Sequence, residues 1–335
     1  MRTCGGLFAR LTDPEHLRGA LRRMARGKRT RPDVAWLLFR AEAELLDLGA
    51  ALRAGTWRPT EPSLLFIHDP KPRVIARSTA SDRLVHMALT SLMEPVFEPS
   101  LMPEDLACRP GGGTHRAVLA LQRHMRQHRF ALHLDIKRYF PSIDLDILRG
   151  LLRRRIRDHA FLGGLDLVLE SGAGLLDQPG VRAFLDMPPD WPPPGRGLPV
   201  GAYTSQFLAT HVYLNGLDHH IKRDLKIPGY VRYVDDLFLF GDRRADLRRW
   251  RAQIGAWLQD ERGLRLKHPD ARVLSCAGQL DGLGYRIRRD EVRVSRRAIR
   301  RLRGRVRTWL EAPEGPEMRV HMRRSLAGSM GVLLG

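Results

Sequence analysis

The chain has 335 residues, 43% of them apolar, which is enough to bury a substantial core and to build two or three subdomains. Its formal net charge is +20, from 57 Lys and Arg against 37 Asp and Glu; part of this reflects a general preference for Arg over Lys, and the rest points to a polyanionic partner, nucleic acid ahead of a membrane surface. Three widely spaced cysteines without CxxC spacing argue against a disulfide framework or a cysteine zinc site, and no apolar run approaches the ~18–20 residues that span a bilayer, so a reduced, cytoplasmic protein is expected.

A basic cluster, Arg22, Arg23, Arg26, Lys28, Arg29 and Arg31, precedes Pro32. From Val34 to Leu52 apolar residues recur at helical spacing and predict one amphipathic helix ending near Gly55. A short strand over Ser63–Ile67 leads into Lys71-Pro72-Arg73-Val74-Ile75-Ala76-Arg77, and Asp82-Arg83 opens another helix. Basic residues before a helix start can grip a triphosphate, because backbone donors and the helix dipole add to their charge; a surface salt-bridge cluster would look the same. The triple glycine at 111–113 lacks a following Lys-Ser or Lys-Thr, so it is a flexible turn before a helix and not a Walker loop. On that helix His124 and His128 share a face, read as surface residues.

Phe130 to Leu134 is an apolar strand ending in Asp135, with Phe140 five residues on. Residues 163–197 are rich in Gly and Pro and read as an irregular connection with short helices. Gly197 to Gln206 launches a further helix, after which Tyr230 to Phe240 forms two short runs of β-branched and aromatic residues around Asp235-Asp236, a tight hairpin with the carboxylates at its tip. Leu247 to Leu258 is helical, Leu264 to His268 alternates as a strand or edge, and Leu283 to Ile287 is another short strand. Between Ser295 and Leu310, Ile299, Leu302, Val306 and Trp309 form one stripe among seven arginines, a helix with a packing face and a face able to track phosphates.

Three carboxylates from a strand end and a hairpin repel one another unless cations neutralise them, and Mg²⁺ is commonly held by a few carboxylates plus substrate phosphates. Two such ions suit an in-line phosphoryl transfer, which is the logic of a polymerase.

In order, Arg73 to Arg83, Leu134-Asp135-Ile136 with Phe140, Leu198-Pro199-Val200-Gly201, Tyr233-Val234-Asp235-Asp236 and Leu283-Gly284-Tyr285 resemble the successive motifs of a reverse transcriptase. Within that family, residues 107–115 and Val200 to Gln206 resemble the enzymes of diversity-generating retroelements, because retron and group II intron enzymes usually carry Gln at the place of Val200 and Ser-Pro at the place of Ser205-Gln206. Gly112 departs from the Lys often found there.

The resemblance implies an α+β, right-hand polymerase fold: a basic helical N-terminal extension over 1–60, fingers over 61–129, a palm over 130–287 with an inserted loop at about 157–197, and a short Arg-rich helical thumb over 288–335. Asp135, Asp235 and Asp236 would be the catalytic carboxylates, with Ile136 also at the metal site. Arg73, Arg77, Arg83, Phe140, Val200 and Gln206 would bind the dNTP, Phe140 excluding a ribose 2′-hydroxyl and Val200, with Ser205, bordering the nascent base pair. Lys267, or Arg272, would be the general acid; Leu283, Gly284 and Tyr285 the primer grip; Arg296, Arg300, Arg303 and Arg307 the contacts to nucleic-acid backbone. Two Mg²⁺ ions, with Mn²⁺ as substitute, a template-repeat RNA, a primer and its cDNA, dNTPs and a small basic oligomeric accessory protein would be the cofactors and partners. The setting would be a bacterial cytoplasm, with a phage or mobile element as carrier, and the product a cDNA with errors at adenines that diversifies a variable gene. A retron-like or defence-associated reverse transcriptase is the alternative, and a non-catalytic RNA-binding scaffold a third reading.

Overall fold

The computed structural model describes residues 4–68 and 71–311. Helices and small antiparallel sheets alternate along the chain, an α+β arrangement. The described residues divide between two compact units, each assembled from three separate segments: unit one from those up to 102, 136–220 and 255–267, and unit two from 103–135, 221–254 and those from 268 on. The expected arginine-bearing stretch to Leu310 lies within the described residues, whereas the rest of the predicted thumb, 312–335, lies outside them.

Unit one opens with helices Leu7–Leu11, Pro14–Ala25, Pro32–Phe39 and Ala41–Arg53. The predicted single helix over 34–52 is therefore two, broken at Arg40. Periodicity reads through the break because a kink of one residue barely disturbs a 3.6-residue repeat, while Glu42 and Glu44 give the second helix the acidic first turn that its dipole favours. Strands β1 (Ser63–Ile67) and β2 (Arg73–Arg77) pair antiparallel as a ribbon. Helix Ala80–Phe97 follows, capped by Thr79, whose hydroxyl accepts from the Asp82 backbone N–H and donates to the Asp82 carboxylate at 2.7 Å. Leu17, Leu21 and Met24 of Pro14–Ala25 are buried, as are Leu84, Leu89, Leu92 and Met93 of the helix it packs on.

The stretch 163–197, read as irregular, holds most of helix His159–Glu170 and a short helix Pro179–Phe184 between turns. From Tyr203 the chain runs helically to Asp224, with π-helical stretches at Leu208–Tyr213 and His220–Asp224. In the first of these the freed carbonyls find side-chain donors: Tyr139 Oη donates to Ala209 O at 2.6 Å and Arg262 Nε to Tyr213 O at 2.8 Å.

Unit two is built on a four-stranded antiparallel sheet in the order β4–β5–β3–β6, from β3 (Phe130–Asp135), β4 (Gly229–Tyr233), β5 (Asp236–Gly241) and β6 (Leu274–Ser275). A second sheet holds β7 (Leu280–Gly282), β8 (Tyr285–Ile287) and β9 (Val292–Val294). Helix Thr114–Gln127 closes the core with Ala117, Val118, Leu121 and Met125 against Ala131, Val231, Phe238 and Phe240 of the first sheet and Leu280, Tyr285 and Ile287 of the second. His124 and His128, expected on the surface, belong to this packing: the His124 ring stacks on Phe240 at 5.1 Å, and a Cβ on Gly229 would meet His128 Nε2 at 2.9 Å. Burial holds the His124 imidazole down at a pKa of about 4.

Two strand expectations change. Leu264 to His268 forms no strand, only an isolated bridge between Leu266 and Ile136. Leu283 and Gly284 are the two-residue turn between β7 and β8, with φ of 54° and 88°, and the strand begins at Tyr285. Positive φ at both central residues is the type I′ geometry that matches the twist of a hairpin, and Gly284 supplies half of it without strain.

Candidate active site

The carboxylates sit at one end of the first sheet. Antiparallel pairing places Asp135, the last residue of β3, directly opposite Asp236, the first of β5, and Asp236 is in turn opposite Tyr233. Directly opposed residues project from the same face, so Asp135 and Asp236 share one face with His133, Phe238 and Tyr233. Val234 and Asp235 form the two-residue turn between β4 and β5, so the hairpin predicted around Asp235-Asp236 is present, with Asp236 already in the strand. All three carboxylates are half-buried.

The turn is strained. Val234 has φ 58°, a region that a β-branched residue rarely enters, at a cost of ~1–3 kcal/mol. What opposes the strain is Arg232, which composition alone does not mark as functional. Its side chain is wholly buried, its Nη2 lies 2.7 Å from Asp105 Oδ2, itself wholly buried, and its Nη1 donates to the Val234 carbonyl at 3.2 Å. Backbone bonds reinforce the link, from Arg232 N to Glu104 O and from Leu106 N to Arg232 O. A charged residue inside Tyr230-Val231-Arg232-Tyr233 demands a buried partner, and this was the available signal; nothing in the spacing identifies Asp105 as that partner.

His133, two residues before Asp135, was also missed. Its Nε2 donates to Asp236 Oδ1 at 2.6 Å, and its ring lies flat on Phe238, centroids 4.3 Å apart. Phe238 in turn abuts Gly282, where an added Cβ would come within 2.8 Å of the ring. The β7–β8 hairpin is thus seated against the residue that supports the Asp236 partner. Tyr285 is buried with its hydroxyl 3.0 Å from His115 Nε2, and the Tyr233 hydroxyl meets Thr114 Oγ1 at 2.9 Å. Gly112 has no room for a side chain: a Cβ there would sit 2.5 Å from Leu106 O, so the folding of the 106–113 loop on itself excludes the Lys expected at this place.

Unit one gathers the residues expected around a nucleotide. Ala76 N donates to Val200 O at 2.8 Å and Leu198 N to Phe140 O at 2.9 Å, which ties β2, the 198–201 turn and Phe140 together. Gly201, at φ 118°, lets this turn approach: a Cβ would lie 2.7 Å from Ile75 Cγ2. Arg73 and Arg77 are exposed on one face of the ribbon, ~13 Å apart along the strand. Arg83 is ion-paired with Asp33 at 2.6 Å, an arrangement that also holds the Asp33 carboxyl below its ordinary pKa. Gln206 is exposed, and Ser205 is buried. Lys267 follows Leu266, the residue bridged to Ile136, while Arg272 of unit two lines a basic cleft with Arg244, Arg248 and Arg251. Arg296, Arg300, Arg303 and Arg307 are exposed on helix Arg296–Leu310; that helix buries none of its residues, and Val306 of its apolar stripe is 36% exposed.

The donor set at the sheet end consists of hard carboxylate oxygens, two on facing positions and one in the adjoining turn, which fits Mg²⁺ held by one or two carboxylates and completed by water and phosphate. Among the described residues no group of three or more His, Cys, Asp or Glu side chains is placed to hold a metal ion by itself, so water and substrate phosphate would have to complete the shell. No helix among the described residues is long and apolar enough to cross a membrane.

Several known proteins are similar to this chain. Protein YkfC of Escherichia coli (strain K12) is 25% identical over 65% of this chain and 52% of its own length. The group II intron-encoded protein LtrA of Lactococcus lactis subsp. cremoris is 26% identical over 35% of this chain and 20% of its own. The chain therefore spans about half the length of the former and a fifth of the latter. A solved structure of apo telomerase from Candida tropicalis superposes with a TM-score of 0.49 at 9% identity, over 71% of this chain and 49% of that one. A sequence model of the reverse transcriptase (RNA-dependent DNA polymerase) family matches residues 68–287, well over half of the chain, and on that match the protein belongs to the reverse transcriptase family.

Proposed function

We propose that the chain is an RNA-directed DNA polymerase of right-hand architecture that extends a primer with dNTPs along an RNA template. The observation that carries this reading is the register that sets Asp135 opposite Asp236 beside the strained Val234-Asp235 turn, in a chain of this family. Fingers (61–129), palm (130–287) and thumb (288 onward) are functional regions in this reading; the packing units cut across them because each draws on three segments.

Reverse transcriptases generally use divalent metal ions, and bound Mg²⁺ would supply charge neutralisation and activation of the primer 3′-hydroxyl. Asp135 and Asp235, with the Ile136 backbone, would hold two such ions. Asp236, held by His133 at one oxygen, would support the site from the position facing Asp135. Arg73 and Arg77 would meet the triphosphate, with Arg83 recruited at the expense of its Asp33 pair. Phe140 would wall off a 2′-hydroxyl, Lys267 would protonate the leaving pyrophosphate, and Leu283 to Tyr285 would bear on the primer end.

For the biological role we favour copying of a template-repeat RNA with errors at adenines, aided by a small basic accessory protein, as in diversity-generating retroelements. Support comes from Val200 to Gln206: the apolar Val200 side chain offers no hydrogen bond to a base or sugar, so selection against a wrong pair at that wall rests on shape alone. Asp235→Asn is expected to abolish primer extension in Mg²⁺ while leaving RNA affinity within about twofold; near-normal extension by this variant sinks the polymerase assignment. Sequencing the wild-type product on an adenine-containing RNA separates the subclasses, since errors spread evenly over the four bases favour a retron-like enzyme.

A further inference from the structure

Helix Ala80–Phe97 carries polar residues on a seam where apolar ones would pack at least as well. His86, Thr90 and Glu94 stand one turn apart, and side chains of the short helix Tyr203–Phe207 meet all three. The outer contact, from Tyr203 Oη to Glu94 Oε1 at 3.1 Å, is exposed. The inner cluster is not: His86 is 5% exposed, and Thr90 and Thr204 are wholly buried. Thr204 Oγ1 lies 2.9 Å from His86 Nδ1, 3.3 Å from Thr90 Oγ1 and 3.2 Å from the His86 carbonyl. The Thr90 hydroxyl donates to that same carbonyl at 2.7 Å.

The place of Thr204 in the chain gives this cluster its meaning. Helix Tyr203–Phe207 has no side chain capping its first turn, so nothing within it fixes where it starts. Its last residue packs ring to ring, Phe207 on Phe97 with centroids 6.1 Å apart. Apolar contacts of that kind are non-directional and tolerate a slide, whereas hydrogen bonds at 2.9 Å do not. A buried polar cluster is costly unless its members are bonded, and when bonded it makes one arrangement unique. Upstream, the same segment is tied to β2 through Ala76 N and Val200 O at 2.8 Å. Val200 to Gln206 is thus held at two points, β2 on one side and His86 with Thr90 on the other.

We infer that His86 and Thr90 are positioning residues for the Val200–Gln206 wall: acting through Thr204, they fix where the wall stands and so how well it separates a matched from a mismatched nucleotide. The inference rests on the reading of Val200 to Gln206 as the border of the nascent base pair. It adds to that reading a reason why a wall that selects by shape needs a rigid seat. An apolar Val200 can reject a wrong pair only by not yielding to it, and the hydrogen bonds to Thr204 are what keep it from yielding.

The test is single-nucleotide incorporation by the full chain on a primed RNA in Mg²⁺, at a template cytosine, with kcat and KM measured for the matched and each mismatched dNTP. Thr204→Val keeps the side-chain shape and loses the hydroxyl; His86→Leu loses the ring nitrogen. Each should raise KM for the matched dNTP and narrow the matched-to-mismatched ratio of kcat/KM by ~2–10-fold, the net worth of one hydrogen bond. A smaller folded fraction scales all four dNTPs alike and leaves that ratio untouched, so lost stability alone does not mimic the effect. Thr204→Ser, which keeps the hydroxyl, and His86→Asn, whose amide nitrogen can stand where Nδ1 stood, should recover most of the ratio. Thr12→Val removes another buried hydroxyl, bonded to Ala9 O away from this cluster, and should leave the ratio at the wild-type value. Wild-type ratios in both Thr204→Val and His86→Leu overturn the inference, as does a loss in Thr204→Ser equal to that in Thr204→Val. If Thr204→Val fails to fold, Thr90→Val against Thr90→Ser carries the same comparison. A wild-type chain that extends no primer removes the polymerase reading and this inference with it; one that extends while the ratios hold removes the inference alone.

Discussion

Replacing Arg232 by Met tests the account of the catalytic hairpin most directly. Both members of the Arg232–Asp105 pair are wholly buried at 2.7 Å, so removing the guanidinium strands a carboxylate in the interior. The backbone N–H of Ala107, 3.3 Å from Asp105 Oδ1, donates to the same carboxylate but carries no charge to neutralise it. Breaking such a pair costs ~3–5 kcal/mol, a large share of the ~5–15 kcal/mol available to a folded protein. The matched change Arg232→Met/Asp105→Leu removes the stranded charge, and replacing a whole buried pair by apolar residues is neutral or stabilising within ~1–4 kcal/mol. It still removes the donor that holds the Val234 carbonyl at 3.2 Å, so the ~1–3 kcal/mol of turn strain at φ 58° becomes free to relax. The double variant should therefore unfold in guanidinium close to wild type yet extend a primer ~5–100-fold more slowly in single-turnover assays, at unchanged dNTP affinity. A double variant that is both stable and fast refutes turn-holding by Arg232, and a single variant destabilised by less than ~1 kcal/mol refutes the buried-pair argument itself.

Stability should depend on pH through buried histidine. His86, 5% exposed and 2.9 Å from Thr204 Oγ1, is held down at a pKa of about 4 by burial, against 6.5 for a free imidazole. The unfolded chain then binds the proton first, so stability is fully present above pH ~6.5 and is lost as pH falls towards 4, at ~1.4 kcal/mol per unit. His124 acts in the same direction. Urea titrations between pH 7 and 5 should show this fall, shallower in His86→Gln; a flat profile would mean that neither imidazole is held below its unfolded pKa by the fold. Val234→Gly should raise stability or leave it unchanged, because glycine adopts positive φ without strain, while lowering turnover through a looser turn. A destabilised Val234→Gly, measured by the same titration, would show that the turn is not strained.

Much of this arrangement is legible in the sequence because it is local. The hairpin around Asp235, the strand ending in Asp135 and the arginine helix follow from alternation, turn chemistry and periodicity, and the structure has them at Gly229–Gly241, Phe130–Asp135 and Arg296–Leu310. What stayed hidden is set by distant residues. Asp105 and Arg232 meet only because the 104–106 segment pairs with β4, and His133 gains meaning only from a register that brings Asp236 across from Asp135. Leu283 and Gly284 read as strand because their neighbours are apolar, yet both adopt positive φ and make the turn. The histidines at 124 and 128 look solvated in a basic helix until Phe240 is known to lie beneath them.

The buried ion pair also sets a clock on biosynthesis. Asp105 leaves the ribosome more than a hundred residues before Arg232 does. At ~5–20 residues per second the carboxylate waits on the order of ten seconds for the guanidinium that meets it in the folded chain. During that interval the 104–106 segment cannot be sealed into an interior without a large penalty, so it stays out in water while β3 and the helices between residues 139 and 224 are made. The strand it will pair with, β4, is made only at the end of that wait, so the backbone groups of the 104–106 segment stay unpaired throughout, which makes this the interval when chaperone binding, or pairing with another nascent chain, has its best opportunity.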